Sequence, residues 1–153
     1  MDIQKCIREG IVRKVRPDWR KIESLLEMAE IKERALSRAP LDSDTLAGYF
    51  TLAYDALHLA MDAYCRSKAY ETSSHKSLGE LMLYICPAFR ISVFERARLT
   101  RNGINYYGRN ISYEEGITLI KQIMELKKEI TSTLQTPSRS ARGRSLAQSR
   151  LPR

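Results

Sequence analysis

Residues 46–64 have the sequence LAGYFTLAYDALHLAMDAY, which places apolar side chains on most sides of a single helix. Two apolar stripes run along this helix in steps of three and four residues. The first stripe comprises Leu46, Phe50, Ala53, Leu57, Ala60 and Tyr64, and the second comprises Tyr49, Leu52, Ala56, Leu59 and Ala63. A helix that is apolar on most sides needs neighbours on each of them. The stretch therefore predicts the central helix of a bundle.

Further helices flank this central stretch. They are delimited by capping residues, by apolar residues in steps of three and four, and by the breakers Pro40 and Pro87. The predicted segments cover residues 2–10, 18–40, 74–87, 91–106 and 112–136. We find no strand alternation, and we expect Tyr70–His75 to form a polar loop. Because short connections favour antiparallel neighbours, the sequence predicts an all-α, four- or five-helix up-and-down bundle over residues 1–136.

The composition restricts the class of protein further. The chain has 153 residues, of which 43% are apolar, enough for one domain with a substantial core. No uncharged apolar run approaches the roughly 18 residues that a membrane span needs, and the first residues lack the apolar segment of a secretory signal. The three cysteines form no CxxC pair, so we expect neither a disulfide framework nor a zinc site. These features predict a cytoplasmic protein that does not contact membranes.

The positive charge is concentrated in two segments of a chain whose net charge is +8. Residues 137–153 hold five arginines and no acidic residue, and we expect this tail to be disordered and to attract polyanions. Residues 90–109 hold five arginines against one glutamate, which gives a local charge of +4 within one helical segment. Such a confined basic patch favours a nucleic-acid partner.

The end of the basic segment combines arginine, asparagine and tyrosine, and residues 101–109 have the sequence RNGINYYGR. Arginine binds phosphate through its bidentate fork, asparagine orients a phosphate or a 2′-hydroxyl, and tyrosine stacks on bases. We therefore predict that this segment binds RNA. Arg101 and Tyr106 are five residues apart, about 140° around a helix, so we expect a groove between two subunits, rather than one chain, to bring them together.

The chain carries no common enzyme signature. It has no GxGxxG, no Walker loop and no HExxH motif, so we expect no cofactor and no bound metal. Its two histidines are His58, in the middle of the central helix, and His75, beside the serines that cap the next one. We interpret His58 as a core or interface residue and His75 as a loop or capping residue.

Three stretches resemble the HEPN domain, a family of helical domains found in nucleotide-related systems. They are YDALHLAMDA at residues 54–63, AYETSSHK at residues 69–76 and RNGINYYG at residues 101–108. The last stretch lies at the family's signature position, on the helix before the last, and the likeness covers residues 2–134. The resemblance implies a bundle of four or five helices that usually dimerises. Many members are metal-independent endoribonucleases whose motif is an arginine, a polar residue directly after it, and a histidine after four to six residues.

The resemblance implies catalytic roles for Arg101, Asn102 and Tyr106. Arg101 matches the motif arginine and Asn102 its polar neighbour, while Tyr106 stands where the family has histidine. An ordinary tyrosine, with a pKa of about 10, is a poor base at neutral pH, but it can donate a proton or stack on a base. We expect further RNA contacts from neighbouring side chains. These are Arg98, Asn105, Tyr107 and Arg109.

The resemblance thus indicates a homodimeric protein that binds RNA in a prokaryotic toxin–antitoxin or defence system and cleaves it weakly without metal. Two other interpretations stay open. The chain is a non-catalytic HEPN subunit that docks a minimal nucleotidyltransferase partner, or residues 101–109 are a structural helix end. In the structural case, Arg101 would complete a buried hydrogen-bond network.

Overall fold

The computed structural model describes residues 3–134, which form six helices and a two-stranded ribbon. The elements are α1 Ile3–Arg8, β1 Val12–Lys14, α2 Trp19–Arg38, α3 Leu46–Ser67, β2 Tyr70–Thr72, α4 His75–Ile85, α5 Ile91–Tyr107 and α6 Tyr113–Ser132. The prediction of an all-α bundle is confirmed, with five long helices after the short α1. The predicted tail, residues 137–153, lies outside the described residues.

Helix α3 is the central element of the bundle. It packs against α2, α4, α5 and α6, as its two apolar stripes require. Phe50, Tyr54, Leu57 and Met61 of α3 have no exposed surface. The position of the central helix is therefore the one predicted, and it places Tyr54 inside the bundle where α3 meets α5.

Side-chain caps fix where several helices begin and end. Asp18, Ser74 and Ser112 each accept a hydrogen bond from a backbone N–H in the first turn of α2, α4 and α6, respectively. Gly108 ends α5 in a left-handed conformation, with φ of 59°, which glycine adopts without steric cost. These boundaries agree with the sequence signals. They place His75 at the first residue of α4 and residues 101–107 in the last two turns of α5.

A short antiparallel ribbon forms where the sequence shows no strand alternation, and it corrects the prediction of a polar loop. Val12 lies opposite Thr72 and Lys14 opposite Tyr70, so the predicted polar loop Tyr70–His75 begins as a strand. Each strand has three residues, too few for apolar and polar side chains to show a visible alternation. Their pairing also joins segments that are distant in sequence, which local propensity cannot show.

An arginine near the end of α3 anchors this ribbon. Arg66 Nε lies 3.0 Å from an Asp62 carboxylate oxygen, and its Nη1 lies 2.6 Å from Glu71 in β2. Glu71 also pairs with Arg13 of β1 at 2.6 Å. The three-way pairing holds β2 against the end of α3 and thereby fixes where α4 begins.

No helix within residues 3–134 combines the length and the apolar character needed to cross a lipid bilayer.

Gly79 marks a close approach between α4 and α5. A Cβ at this position would lie 2.6 Å from ring carbons of Phe94, which has no exposed surface to move toward. We expect Gly79→Ala to lower the free energy of unfolding by about 1–3 kcal/mol through overpacking, despite the better helix propensity of alanine. Urea unfolding would measure this loss.

The matched control is Gly48→Ala in α3, where a Cβ meets nothing within 4 Å and where we expect a gain of up to about 1 kcal/mol. Equal stability of the two variants would contradict the close packing of α4 on α5.

Candidate functional site

Arg101 lies between two tyrosine rings near the end of α5. Its guanidinium carbon is 5.8 Å from the ring centroid of Tyr54 and 5.6 Å from that of Tyr106. Its Nη1 donates a hydrogen bond of 3.2 Å to the Tyr106 hydroxyl. The expectation that only two subunits could bring Arg101 and Tyr106 together is therefore wrong. Both side chains are long enough to span the separation around the last turns of one helix.

Arg101 differs from most arginines of the basic segment because no acidic side chain within residues 3–134 neutralises it. Three of the five arginines in residues 90–109 form ion pairs. These pairs are Arg90–Glu129, Arg96–Glu115 and Arg98–Glu95. The Nε of Arg101 is buried and has no hydrogen-bond partner among the described residues. A guanidinium has five N–H donors, and Tyr106 accepts only one of them. Arg101 therefore keeps both its charge and most of its donors for an anionic ligand.

The remaining candidates divide into two groups. Arg98 is half-buried and held by Glu95, while Asn105 is exposed and accepts a hydrogen bond of 3.3 Å from the Thr51 hydroxyl of α3. Both lie on the side of α5 that faces α3, as Arg101 does. Asn102 is half-buried beside Arg101.

The second group lies apart from Arg101. The guanidinium carbon of Arg109 is 5.6 Å from the ring centroid of Tyr107, whose side chain is 73% exposed. Arg109 also borders a cleft of about 270 Å³, together with Gly103 and Glu115. The structure thus brings Arg101 and Tyr106 together and places the pair formed by Tyr107 and Arg109 at a separate surface.

The two histidines meet next to Tyr54. The rings of His58 in α3 and His75 in α4 stack with centroids 4.0 Å apart. Nδ1 of His75 lies 2.9 Å from the Tyr54 hydroxyl, and the Tyr54 ring centroid is 6.1 Å and 6.0 Å from those of His58 and His75. Tyr54 therefore contacts the guanidinium of Arg101 as well as both imidazoles. We call Tyr54, His58, His75 and Arg101 the Arg–His cluster.

Burial shifts the acid–base properties of this cluster. It lowers the pKa of His58 to about 4, with a smaller contribution from His75. Burial and then the positive charge of Arg101 lower the pKa of His75, which also lies at the positive end of α4. Burial raises the pKa of Tyr54, so its phenol stays protonated over the whole physiological range. Both imidazoles are therefore mainly neutral at pH 7.

The sequence interpretation placed both histidines correctly but missed their contact. His58 is half-buried and His75 begins α4 beside the capping Ser74, as expected. Tyr54 and His58 are four residues apart, which puts them on one helix face and is a signal that could have been used. The return of the chain through β2 brings His75 back to that face, and this return depends on the unpredicted ribbon.

Among residues 3–134, no group of three or more histidine, cysteine, aspartate or glutamate side chains is arranged to hold a metal ion. No protein-family model matches the chain, and no curated protein is significantly similar to it.

Proposed function

We propose that this protein binds RNA at the Arg–His cluster and cleaves it weakly without metal, as a HEPN-like component of a prokaryotic toxin–antitoxin or defence system. One observation carries the proposal. Arg101 has no carboxylate partner within residues 3–134 and lies in a cluster with two largely neutral imidazoles. A free guanidinium next to proton-accepting groups is suited to hold a phosphodiester and to assist its cleavage.

The surroundings of Arg101 offer the other contacts that RNA requires. The Tyr106 side chain is 69% exposed and presents a ring on which a base can stack. Asn102 and Asn105 lie on the same helix end and supply amides for a phosphate or a 2′-hydroxyl. In this proposal Arg98 is a weaker RNA contact than Arg101, because Glu95 already occupies its guanidinium.

A homodimer is part of the proposal. Leu99 and Tyr107 are both more than half exposed along the second half of α5, on the surface that lies apart from Arg101. Exposed apolar side chains clustered on one helix favour an interface. A second copy packed there would leave Arg101 and Tyr106 of each subunit open to RNA.

Arg101→Ala is expected to weaken RNA binding by about tenfold or more, because it removes a charge-assisted contact to phosphate. Fluorescence anisotropy with a labelled single-stranded RNA, at an ionic strength of about 0.15 M, measures this effect. Cleavage of the same RNA in EDTA should fall by about 10²-fold or more, since the donor that stabilises the phosphorane is lost.

The matched control is Arg96→Ala. Arg96 lies on the same helix and its loss changes the net charge equally, but its guanidinium is paired with Glu115. It should bind and cleave RNA nearly as the wild type does. Equal losses in both variants would show only a general attraction to the basic segment, and an Arg101→Ala variant with wild-type binding would overturn the proposal.

A further inference from the structure

We propose that His58 and His75 are the acid–base pair of this site, that Tyr54 is their positioning residue, and that the substrate is an RNA strand with a free 2′-hydroxyl next to the scissile phosphate. This inference rests on the proposed function and deepens it. It assigns proton transfer to histidines of α3 and α4 rather than to Tyr106 of α5, and it leaves Tyr106 to stack on a base and to orient Arg101.

The geometry of the cluster supports this assignment. The imidazoles stack at 4.0 Å, and the guanidinium carbon of Arg101 is 5.8 Å from the Tyr54 ring that contacts them both. The positive charge of Arg101 acts on both imidazoles, so a phosphate held by Arg101 would lie on the side of the cluster that carries the two proton-transferring groups. Tyr106, by contrast, already uses its hydroxyl to accept a hydrogen bond from Arg101.

The two imidazoles differ in burial, and this difference indicates which of them is the base and which is the acid. His58 is half-buried, so it stays neutral down to low pH and can accept a proton. His75 is exposed, so burial opposes its protonation less than it does for His58. A pair of groups whose environments separate their pKa values provides one base and one acid. We assign His58 as the base and His75 as the acid.

Tyr54 can support His75 in both protonation states. Its hydroxyl, 2.9 Å from Nδ1, accepts a hydrogen bond from Nδ1–H both in the imidazolium and in the neutral imidazole that is left when Nε2 gives up its proton. In either state the Nδ1 contact leaves Nε2 of His75 free to face the substrate. Because Tyr54 is fully enclosed, it cannot touch RNA and acts only through His75.

Charged groups from three helices face the pair. Arg101 and Arg98 of α5 oppose protonation of His75, whereas Asp55 of α3 favours protonation of both imidazoles. Asp55 is itself paired with Lys32 of α2 at 3.3 Å, and Glu95 of α5 is paired with Arg98. Burial and the positive charges of Arg101 and Arg98 together outweigh Asp55 and lower the pKa of His75, so His75 carries its acidic proton only below neutral pH.

The proposed step is a transesterification without a co-reactant. His58 takes the proton of the 2′-hydroxyl while the 2′-oxygen forms a bond to phosphorus. The bond from phosphorus to the 5′-oxygen breaks, and His75 gives that oxygen its Nε2 proton. The products are a 2′,3′-cyclic phosphate and a 5′-hydroxyl. His58 then loses its proton to solvent and His75 regains one, which restores both groups.

The test uses the full chain and an oligodeoxynucleotide that contains one ribonucleotide, with the all-deoxy strand as the control for the 2′-hydroxyl. Cleavage in EDTA and anisotropy binding are measured from about pH 4 to pH 8 for the wild type and for His58→Gln, His75→Gln and Arg101→Ala. We expect each histidine variant to lose about 10²-fold to 10⁴-fold in cleavage and to bind within about twofold of the wild type. The rate of the wild type should pass through a maximum below neutral pH.

The outcomes distinguish failure of the acid–base assignment from failure of the proposed function. If Arg101→Ala loses cleavage but both histidine variants cleave as the wild type does, the acid–base assignment is overturned and the proposed function stands. If the wild type shows no cleavage that depends on Arg101, the proposed nuclease function fails and the assignment fails with it. Lys76→Gln, an exposed neighbour of His75 on α4, is the control for unspecific effects and should retain the wild-type rate.

Tyr54→Phe distinguishes positioning from packing. It keeps the ring and removes the hydroxyl that contacts His75. We expect it to shift the alkaline limb of the pH profile while leaving the melting temperature and RNA binding close to those of the wild type. An unchanged pH profile would remove Tyr54 from the proposal.

Discussion

Phe94→Ala is expected to lower the free energy of unfolding by about 3–5 kcal/mol, the largest single effect that we predict for this chain. Phe94 has no exposed surface, and its ring lies 6.0 Å from that of Tyr54 and 6.3 Å from that of Phe89. The substitution removes the ring and leaves a cavity between α3, α4 and α5. It also removes the stacking contact between the rings of Phe94 and Tyr54.

Urea unfolding followed by circular dichroism measures this loss. Ser92→Ala is the control, because Ser92 lies on the same helix, is exposed and takes no part in the proposed dimer interface. It should change the stability by less than about 0.5 kcal/mol. A loss below about 1 kcal/mol for Phe94→Ala would mean that α5 does not pack on α3 and α4 as described, and the Arg–His cluster would lose its structural basis.

The arrangement of the helices could be predicted because it follows from local signals. The apolar stripes of residues 46–64 require neighbours on every side, and the caps Asp18, Ser74 and Ser112 mark where the helices begin. Each of these signals lies within a few residues of the feature that it determines. The ribbon could not be found in this way, because its two short strands pair across the whole of α2 and α3.

The candidate site shows the same division between local and distant information. Arg101 was selected from the sequence around it, and the structure adds that its charge is not neutralised within residues 3–134 while those of Arg90, Arg96 and Arg98 are. The ion pairs of Arg90 and Arg96 with glutamates of α6 depend on tertiary packing, so the local charge of +4 counted from the sequence exceeds the net charge at this surface. The contact of His58 with His75 depends on the turn through β2, which the sequence does not reveal.

The stability of the protein is expected to fall by about 2 kcal/mol between about pH 7.5 and pH 5 through His58 alone. The pKa of this imidazole is about 4 in the folded protein and near 6.5 in an unfolded chain. As the pH falls below about 6.5, the unfolded chain binds a proton that the folded protein excludes. The contribution of His58 is therefore fully present above its unfolded pKa and is lost as the pH falls toward 4. The lowered pKa of His75 acts in the same direction.

Urea unfolding of the wild type and of His58→Gln at several pH values in this range isolates the contribution of His58. A constant difference in stability between the two proteins is expected from lost packing, so the informative quantity is the slope against pH. The slope of the free energy of unfolding against pH should be shallower for His58→Gln than for the wild type. It should change less for His75→Gln, because His75 is more exposed.

A slope that His58→Gln leaves unchanged would mean that His58 is hydrated and titrates normally in the folded protein. An imidazole that stays neutral because it is packed between Tyr54 and His75 is the condition on which its role as a base depends, so this equilibrium measurement tests the site without requiring any RNA.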